Sequence, residues 1–354
     1  MKIKSIRVFK KNLALTRPYT ITYQTVSSVE AVFVEIELQN GIIGLGSANP
    51  SKEVVGEDVD DAYQSLQSDT IQKLVGRDIA EIFSIISDVN RVFPHKPGTS
   101  AAMDIALHDA FCQYLDISIV SFYNQKIYKM PTSVTIGIKN VADTLEEAAE
   151  YVGKNFKALK VKLGVNFDED IERLVKLREN FGNKIAIRVD ANQGYIIDEV
   201  GVFFKKIDHL NIELVEQPTL VGTEVGVNSL PLDIRRRLAA DESLHDAKAA
   251  FQLAADKTFG IFNIKMMKCG GIVGALEIAT IARNSDIDLF WGCNDESIVG
   301  ITAALHVAFS CGNTRYIDLD GSLDLAEDVV KSGFILEEGC MRLPEKPGLG
   351  LVKV

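Results

Sequence analysis

From residue 131 onward the chain repeats one unit: an apolar, β-branched run, then an amphipathic stretch, with a charged residue at the end of most runs. The runs read as strands at 131–137, 156–163, 184–190, 212–216, 237–241, 260–265, 288–293 and 314–320. Between them lie stretches such as 167–181, where Ile171, Leu174, Val175 and Leu177 recur at helical spacing. The strand-end charges Lys162, Asp190, Glu216, Asp241 and Lys265 follow one another at gaps of 28, 26, 25 and 24 residues. One strand–helix unit has about that length, so each charge arrives one strand further round the same rim. Eight strands alternating with helices predict an α/β fold, a TIM-like (β/α)7β barrel whose functional groups gather at the carboxyl ends of the strands. A nucleotide-binding doubly wound sheet should instead show GxGxxG after its first strand. The nearest match has Gly44-Leu-Gly46 but Asn49 where the third glycine belongs.

The beginning of the chain reads differently. Strands are predicted over 2–10, 30–38 and 42–46, with Asn40-Gly41 as a hairpin turn. Helices follow over 57–75, 79–92 and 99–117, the last opening on Thr99-Ser100 as N-cap. Strands followed by helices describe an N-terminal α+β capping domain. The expected organisation is capping domain 1–125, barrel 126–321, and a tail 322–354 returning to the capping domain.

A net charge of −11 without any Lys/Arg tract argues against nucleic acid or an anionic membrane as partner. No apolar run reaches the roughly 18 residues a bilayer span needs, and the first ten residues read as a strand and not a signal peptide. Cys112, Cys269, Cys293, Cys311 and Cys340 are odd in number and widely spaced, as reduced thiols of a cytoplasmic protein would be. A homo-oligomer is expected. The five histidines form no HxH or HExxH pair, which speaks against a zinc hydrolase.

Asp190, Glu216 and Asp241 would meet near one point, where three unpaired carboxylates repel and resist desolvation. A divalent cation resolves that conflict, and all-oxygen ligation favours Mg²⁺ or Mn²⁺. Each acid alone could equally be a helix cap; three in register are better read as ligands. Lys160 and Lys162, two apart on a strand, share a face and point into the barrel, while Leu159, Val161 and Leu163 face the outer helices. Lys265 lies across the axis from Lys162. A neighbouring metal and a second lysine should lower its pKa toward that of a usable base. Lysines on a solvated strand edge are the plainer alternative. Two opposed lysines flanking a metal suit removal of a proton beside a carboxylate on one face and its return on the other, with the metal stabilising the enediolate.

At these residues the sequence resembles the enolase superfamily, and within it the muconate-lactonizing subgroup: the KxK strand, the D/E/D set and the lysine of "NIK" all match. The resemblance covers essentially the whole chain. It implies Mg²⁺ on Asp190, Glu216 and Asp241, acid/base roles for Lys162 and Lys265, and substrate contact for Lys160. Strand eight, "RYIDLDG", adds Asp318 and Asp320; in the dipeptide epimerases of this subgroup such a pair binds the free α-ammonium of a dipeptide. Thr135 and Cys293 match substrate-contact positions, though a strand threonine and a core cysteine explain them equally well. Ser47 and Asn294 depart from the family pattern, where glutamate and methionine are common.

The expected activity is therefore Mg²⁺-dependent epimerisation at the second residue of a dipeptide. o-Succinylbenzoate synthase or N-acylamino-acid racemase is the second reading, and a silent barrel acting by binding alone is the third. "RPYTITYQTVSSVEA" resembles the substrate-closing loop, in which relatives acting on Ala-Glu place an arginine just before a threonine. Here Gln24 precedes Thr25, and Arg17 lies seven residues upstream. Gln24 cannot offer a charged fork to a carboxylate. An uncharged, small-to-medium second residue is expected, as in the Ala-Ala dipeptides of cell-wall turnover, with L-Ala-D/L-Glu as the alternative.

Overall fold

Alternating apolar side chains draw the first part of the chain into an antiparallel sheet of β1 (Ile3–Ile21), β2 (Gln24–Leu38) and β3 (Ile43–Ala48), in that order. This computed structural model describes the backbone of residues 1–21 and 24–354, and side chains outside 17–26. The side chains of Gln24 and Arg17 therefore lie outside the described residues. The strands read at 2–10 and 30–38 prove to be parts of one long hairpin, paired from Ile3↔Leu38 out to Ile21↔Gln24 with a register shift between Ala14 and Tyr19. Contacts with distant chain accompany the extension: Thr16 N–H donates to the Asp324 carbonyl at 2.7 Å, and Leu15 bridges to Leu325. Local pattern carries no sign of such a partner.

On this sheet lie α1 (Val59–Leu66), α2 (Ile82–Val92) and α3 (Pro97–Tyr114). The single helix expected over 57–75 is broken after Leu66, and a separate turn starts at Asp69. Thr99-Ser100 is not an N-cap, because the helix starts at Pro97, whose fixed φ suits the first turn. Thr99 instead helps bind the buried Glu57 carboxylate, which accepts from the Gly98 N–H at 2.7 Å and also from the Thr99 hydroxyl. Gly44 and Gly46 let α3 lie against β3. A Cβ on either would stand 2.3 Å from the Ala106 carbonyl or 2.0 Å from that of Ala102. Close packing, and not a nucleotide, explains that glycine pair.

The barrel strands are β4 (Ser133–Ile136), β5 (Ala158–Lys162), β6 (Ala186–Asp190), β7 (Ile212–Glu216), β8 (Leu238–Ala240), β9 (Ile261–Ile264), β10 (Asp288–Trp291) and β11 (Thr314–Ile317). They pair in parallel, in chain order. The ring is closed by a Thr132–Ile317 bridge and by the Thr132 hydroxyl, which accepts from the Leu319 N–H at 2.9 Å. Outside run α4 (Val141–Gly153), α5 (Phe167–Phe181), α6 (Ile197–Ile207), α7 (Ala247–Ala255), α8 (Ile272–Asn284) and α9 (Ile298–Ser310); two single-turn helices replace a long one between β7 and β8. The fold is a (β/α)7β barrel with a capping α+β layer. Leu159, Val161, Ile187, Val189 and Val215 are fully buried in the hydrophobic core.

The last residues bind back to the first layer. Asp109 of α3 accepts from the Leu45 N–H at 2.9 Å and the Leu349 N–H at 2.8 Å, joining α3, β3 and the tail. Burial pushes its carboxyl up to about 6. Among the described residues no helix is long and apolar enough to cross a membrane, and all five cysteines are free.

Candidate active site

The five strand-end charges that follow one another along the chain stand at, or just past, the carboxyl ends of barrel strands. Lys162, Asp190 and Glu216 are the final residues of β5, β6 and β7, and lie level: Lys162↔Asp190 and Asp190↔Glu216 are paired. Asp241 follows β8 directly, and Lys265 follows β9. Since β9 is the fourth strand round from β5 in a ring of eight, Lys162 and Lys265 approach from opposite sides.

Each lysine engages its own carboxylate. Lys162 Nζ donates to Asp190 Oδ2 at 2.7 Å and to Asn192 Oδ1 at 2.9 Å. Lys265 Nζ donates to Asp241 Oδ2 at 2.8 Å. Lys160, only 4% exposed, sits among Glu216 (2.8 Å), Asp318 (3.0 Å) and Asp190 (3.2 Å). Burial disfavours its charge, but these acids outweigh burial and hold its pKa well above the ordinary lysine value. Lys160 is thus a fixed cation beneath the carboxylates. The expected depression of Lys265 presupposes a bound metal; its protein neighbours alone act the other way. Burial and Lys160 lower its pKa, yet Asp241 and Glu216 raise it further. Neighbouring cations alone argue for a lowering, but the nearest charge is Asp241. A cation held by the same carboxylates would cancel that pull.

Burial opposes ionisation of all three acids, with unequal results. Lys162 and Lys160 bring Asp190 down to about 2, and Lys265 and Lys268 hold Asp241 well below the usual range. Glu216, desolvated and beside Asp190, is pushed up to about 8. Glu216 Oε1 accepts from Asn263 Nδ2 at 2.7 Å; Oε2 lies 2.8 Å from Lys160 yet makes no well-directed hydrogen bond. Burial is the first cause of the rise in Glu216, with the Asp190 charge next. Among the described residues no three such groups close up into a finished metal cage, because their oxygens face lysines and Asn263. The hard oxygen donors, gathered on neighbouring strand ends, and the poorly satisfied Glu216 oxygen still fit a hard divalent cation such as Mg²⁺.

Residues 143–352 match the family described as Enolase C-terminal domain-like. Residues 3–122 match Mandelate racemase / muconate lactonizing enzyme, N-terminal domain. The chain is 50% identical to the L-Lys-D/L-Arg epimerase of Desulforapulum autotrophicum over 100% of both chains. It is 45% identical to the L-Lys-D/L-Arg epimerase of Methylococcus capsulatus, over 99% of each. It belongs to the dipeptide epimerases of the enolase superfamily. A crystal structure of the Methylococcus capsulatus dipeptide epimerase, complexed with Mg and L-Arg-D-Lys, superposes with a TM-score of 0.97 at 45% identity, covering 99% of this chain and 100% of that one. As a dipeptide epimerase, the protein is an isomerase.

In this epimerase Asp318 and Asp320 lie just beyond β11, so they do not share a strand face, and they part. Asp318 turns to Lys160 and to the Ser133 hydroxyl, which donates at 2.5 Å. Asp320 turns to Thr135, whose N–H donates to Oδ2 at 2.7 Å. Burial and then Asp318 push Asp320 up to about 7. It is a half-buried acid whose charge Lys160 only partly offsets. Thr135 thus holds Asp320. Cys293 Sγ accepts from the Gly321 N–H at 3.3 Å, and burial together with Asp320 keeps the thiol protonated. Ser47 is buried, and the Asn294 side chain contacts Met267 Sδ at 3.3 Å.

Four participants escaped sequence reasoning. Lys268 Nζ donates to the Asp241 carbonyl at 2.6 Å and also pairs with Oδ1. Its position, one helical turn after Lys265, was the available signal. Asn192 and Asn263 are polar residues at or past strand ends that carry no charge to mark them. Glu296 is buried, accepts from the Asn294 N–H at 3.3 Å, and is pushed up by burial to about 8.

Proposed function

We propose that this dipeptide epimerase inverts the α-carbon of the second residue, that Asp190, Glu216 and Asp241 hold its Mg²⁺, and that it prefers dipeptides with basic side chains. The observation that carries the reading is the placement of Lys162 and Lys265 halfway round the barrel from each other, each on one of the proposed ligands. Mg²⁺ bound there supplies an electrophilic hold on the substrate carboxylate and lowers the cost of charge developing at the α-carbon. One lysine takes the α-proton from its face; the other delivers a proton from the opposite face. Lys160 stays charged and screens the acids from below. Asp320, with Asp318 beside it, receives the dipeptide ammonium, a close positive charge for this half-buried carboxyl. N-acylated amino acids have no ammonium to offer, so they are excluded as good substrates.

Basic side chains are favoured by two observations. Relatives 50% and 45% identical over the whole chain are L-Lys-D/L-Arg epimerases. Besides Asp320, the buried Glu296 lies near Lys265 without a salt bridge among the described pairs. The neutral Gln24 argues against an acidic second residue and is equally compatible with a neutral or a basic one. Ala-Ala, and with it a role in cell-wall turnover, is the alternative outcome. A panel of L-Lys-L-Arg, L-Lys-L-Lys, L-Ala-L-Ala, L-Ala-L-Glu and N-succinyl-L-Arg, read by deuterium uptake from D₂O, decides between them. The expected kcat/KM for basic dipeptides is at least ~10-fold above the others, as a desolvated charge pair allows. Preference for L-Ala-L-Ala would return the neutral reading, and turnover of N-succinyl-L-Arg alone would remove the ammonium from the account.

A further inference from the structure

Lys162 ends β5, and the chain passes through Leu163 and Gly164 before entering α5. A buried cluster that takes no part in the proposed proton transfer holds this exit. Asp170, in the first turn of α5, is fully buried. Its Oδ2 accepts from the Gly164 N–H at 2.8 Å and from the Tyr195 hydroxyl at 2.7 Å, and its Oδ1 is paired with the Arg173 guanidinium. Arg173, 2% exposed, reaches on: its Nη1 donates to the backbone carbonyl of Lys162 at 3.1 Å. Tyr195 brings in the loop after β6, the same loop whose Asn192 takes a hydrogen bond from Lys162 Nζ. The Tyr195 ring is packed against Phe167 and Phe203, at centroid distances of 5.6 and 5.2 Å. One guanidinium and one carboxylate thus join the backbone that carries Lys162, the turn that follows it, and the loop that touches its ammonium.

A buried ion pair adds little to stability over an apolar replacement of the same shape. What a planar, forked guanidinium does add is direction. We infer that Arg173, with Asp170 and Tyr195, is a positioning residue for Lys162 and sets the angle from which that lysine faces the substrate. The inference rests on Lys162 serving one face of the α-carbon. Nothing in the cluster touches Lys265, which is held separately by Asp241 at the start of the turn Met266–Cys269. Its loss should therefore slow proton exchange from one epimer only, whereas a merely structural role would slow both alike.

The test uses the Mg²⁺-loaded full chain with Arg173→Lys, Tyr195→Phe and Lys162→Ala. Initial deuterium uptake from D₂O is measured separately for L-Lys-L-Arg and L-Lys-D-Arg, and for L-Ala-L-Ala and L-Ala-D-Ala. Mg²⁺ affinity by calorimetry serves as a control for the metal-binding side of the site. Lys162→Ala should silence uptake from one isomer and spare the other. Arg173→Lys keeps a charge for Asp170 but loses the fork; it should slow that same isomer roughly 10- to 100-fold and leave the other within about two-fold, with Mg²⁺ affinity unchanged. Tyr195→Phe should shift the ratio in the same direction by less, and it decides the matter if Arg173→Lys does not fold. Equal slowing of both isomers, or of neither, while Lys162→Ala remains asymmetric, would overturn the positioning role alone. A symmetric Lys162→Ala would overturn the two-base reading and this inference with it.

Discussion

Replacing Asp320 with asparagine should make the free protein more stable and the enzyme much worse. Burial and Asp318 raise this carboxyl from 3.8 to about 7. A raised acid pKa in the folded state is a stability cost: absent below the unfolded value near 4, growing as pH rises, and complete above about 7. At 1.36 kcal/mol per pKa unit the full cost is about 4 kcal/mol, and a neutral amide in place of the carboxylate would recover roughly 1–4 of it. Asparagine keeps an acceptor for the Thr135 N–H without the charge. In urea titrations Asp320→Asn should therefore exceed the wild type at pH 8, and the two should converge near pH 4. Catalysis should move the other way. The substrate ammonium loses a desolvated charge partner, about 2–4 kcal/mol, so kcat/KM for a free dipeptide falls roughly 30- to 1,000-fold. Unchanged kcat/KM, or a variant less stable than wild type at pH 8, would refute the account of this pair.

Chelation should abolish turnover and added Mg²⁺ restore it; Asp241→Asn should weaken Mg²⁺ binding in calorimetry, and wild-type turnover by that variant without metal would remove Asp241 from the ligand set. Gly292→Ala would place a Cβ 2.5 Å from Asn263 Oδ1 and push Asn263 off Glu216; a loss of about 1–3 kcal/mol in chemical denaturation, with weaker Mg²⁺ binding, is expected, and wild-type values for both would contradict it. Burial lowers His306 from 6.5 to about 4, so the fold keeps the ring neutral; the stability this supplies is complete above 6.5 and should fall by about 3 kcal/mol as pH drops to 4. His306→Gln should flatten that slope in unfolding curves at pH 4.5 and 7, and an equally steep slope would assign the acid sensitivity elsewhere.

The barrel was legible because charge at a fixed interval along apolar runs has few explanations, and a ring of parallel strands converts that interval into proximity. Lys162, Asp190 and Glu216 end level across three neighbouring strands. Contacts between distant segments left no such mark. The outer half of the β1–β2 hairpin runs alongside residues 324–325, and Thr99 serves a carboxylate 42 residues away. Nothing in the local pattern marks Lys268 beyond its spacing from Lys265, and the turn there folds it onto Asp241. The pKa of Lys265 depends on distance in the same way: its protein neighbours alone raise it, and the expected lowering rests on the charge of a bound metal. Sequence order shows which charges are present, but their distances decide which one prevails, and Asp241 is the nearest. Gln24 spoke only to what an acidic side chain would need. It did not choose between neutral and basic.

The most direct test of the central claim, two lysines on opposite faces of one α-carbon, is deuterium uptake by Lys265→Ala measured from each epimer of a dipeptide in D₂O. The account predicts that uptake survives from one epimer, whose α-hydrogen faces Lys162, is lost from the other, and that the two no longer interconvert. Interconversion of both epimers at the wild-type rate would contradict it.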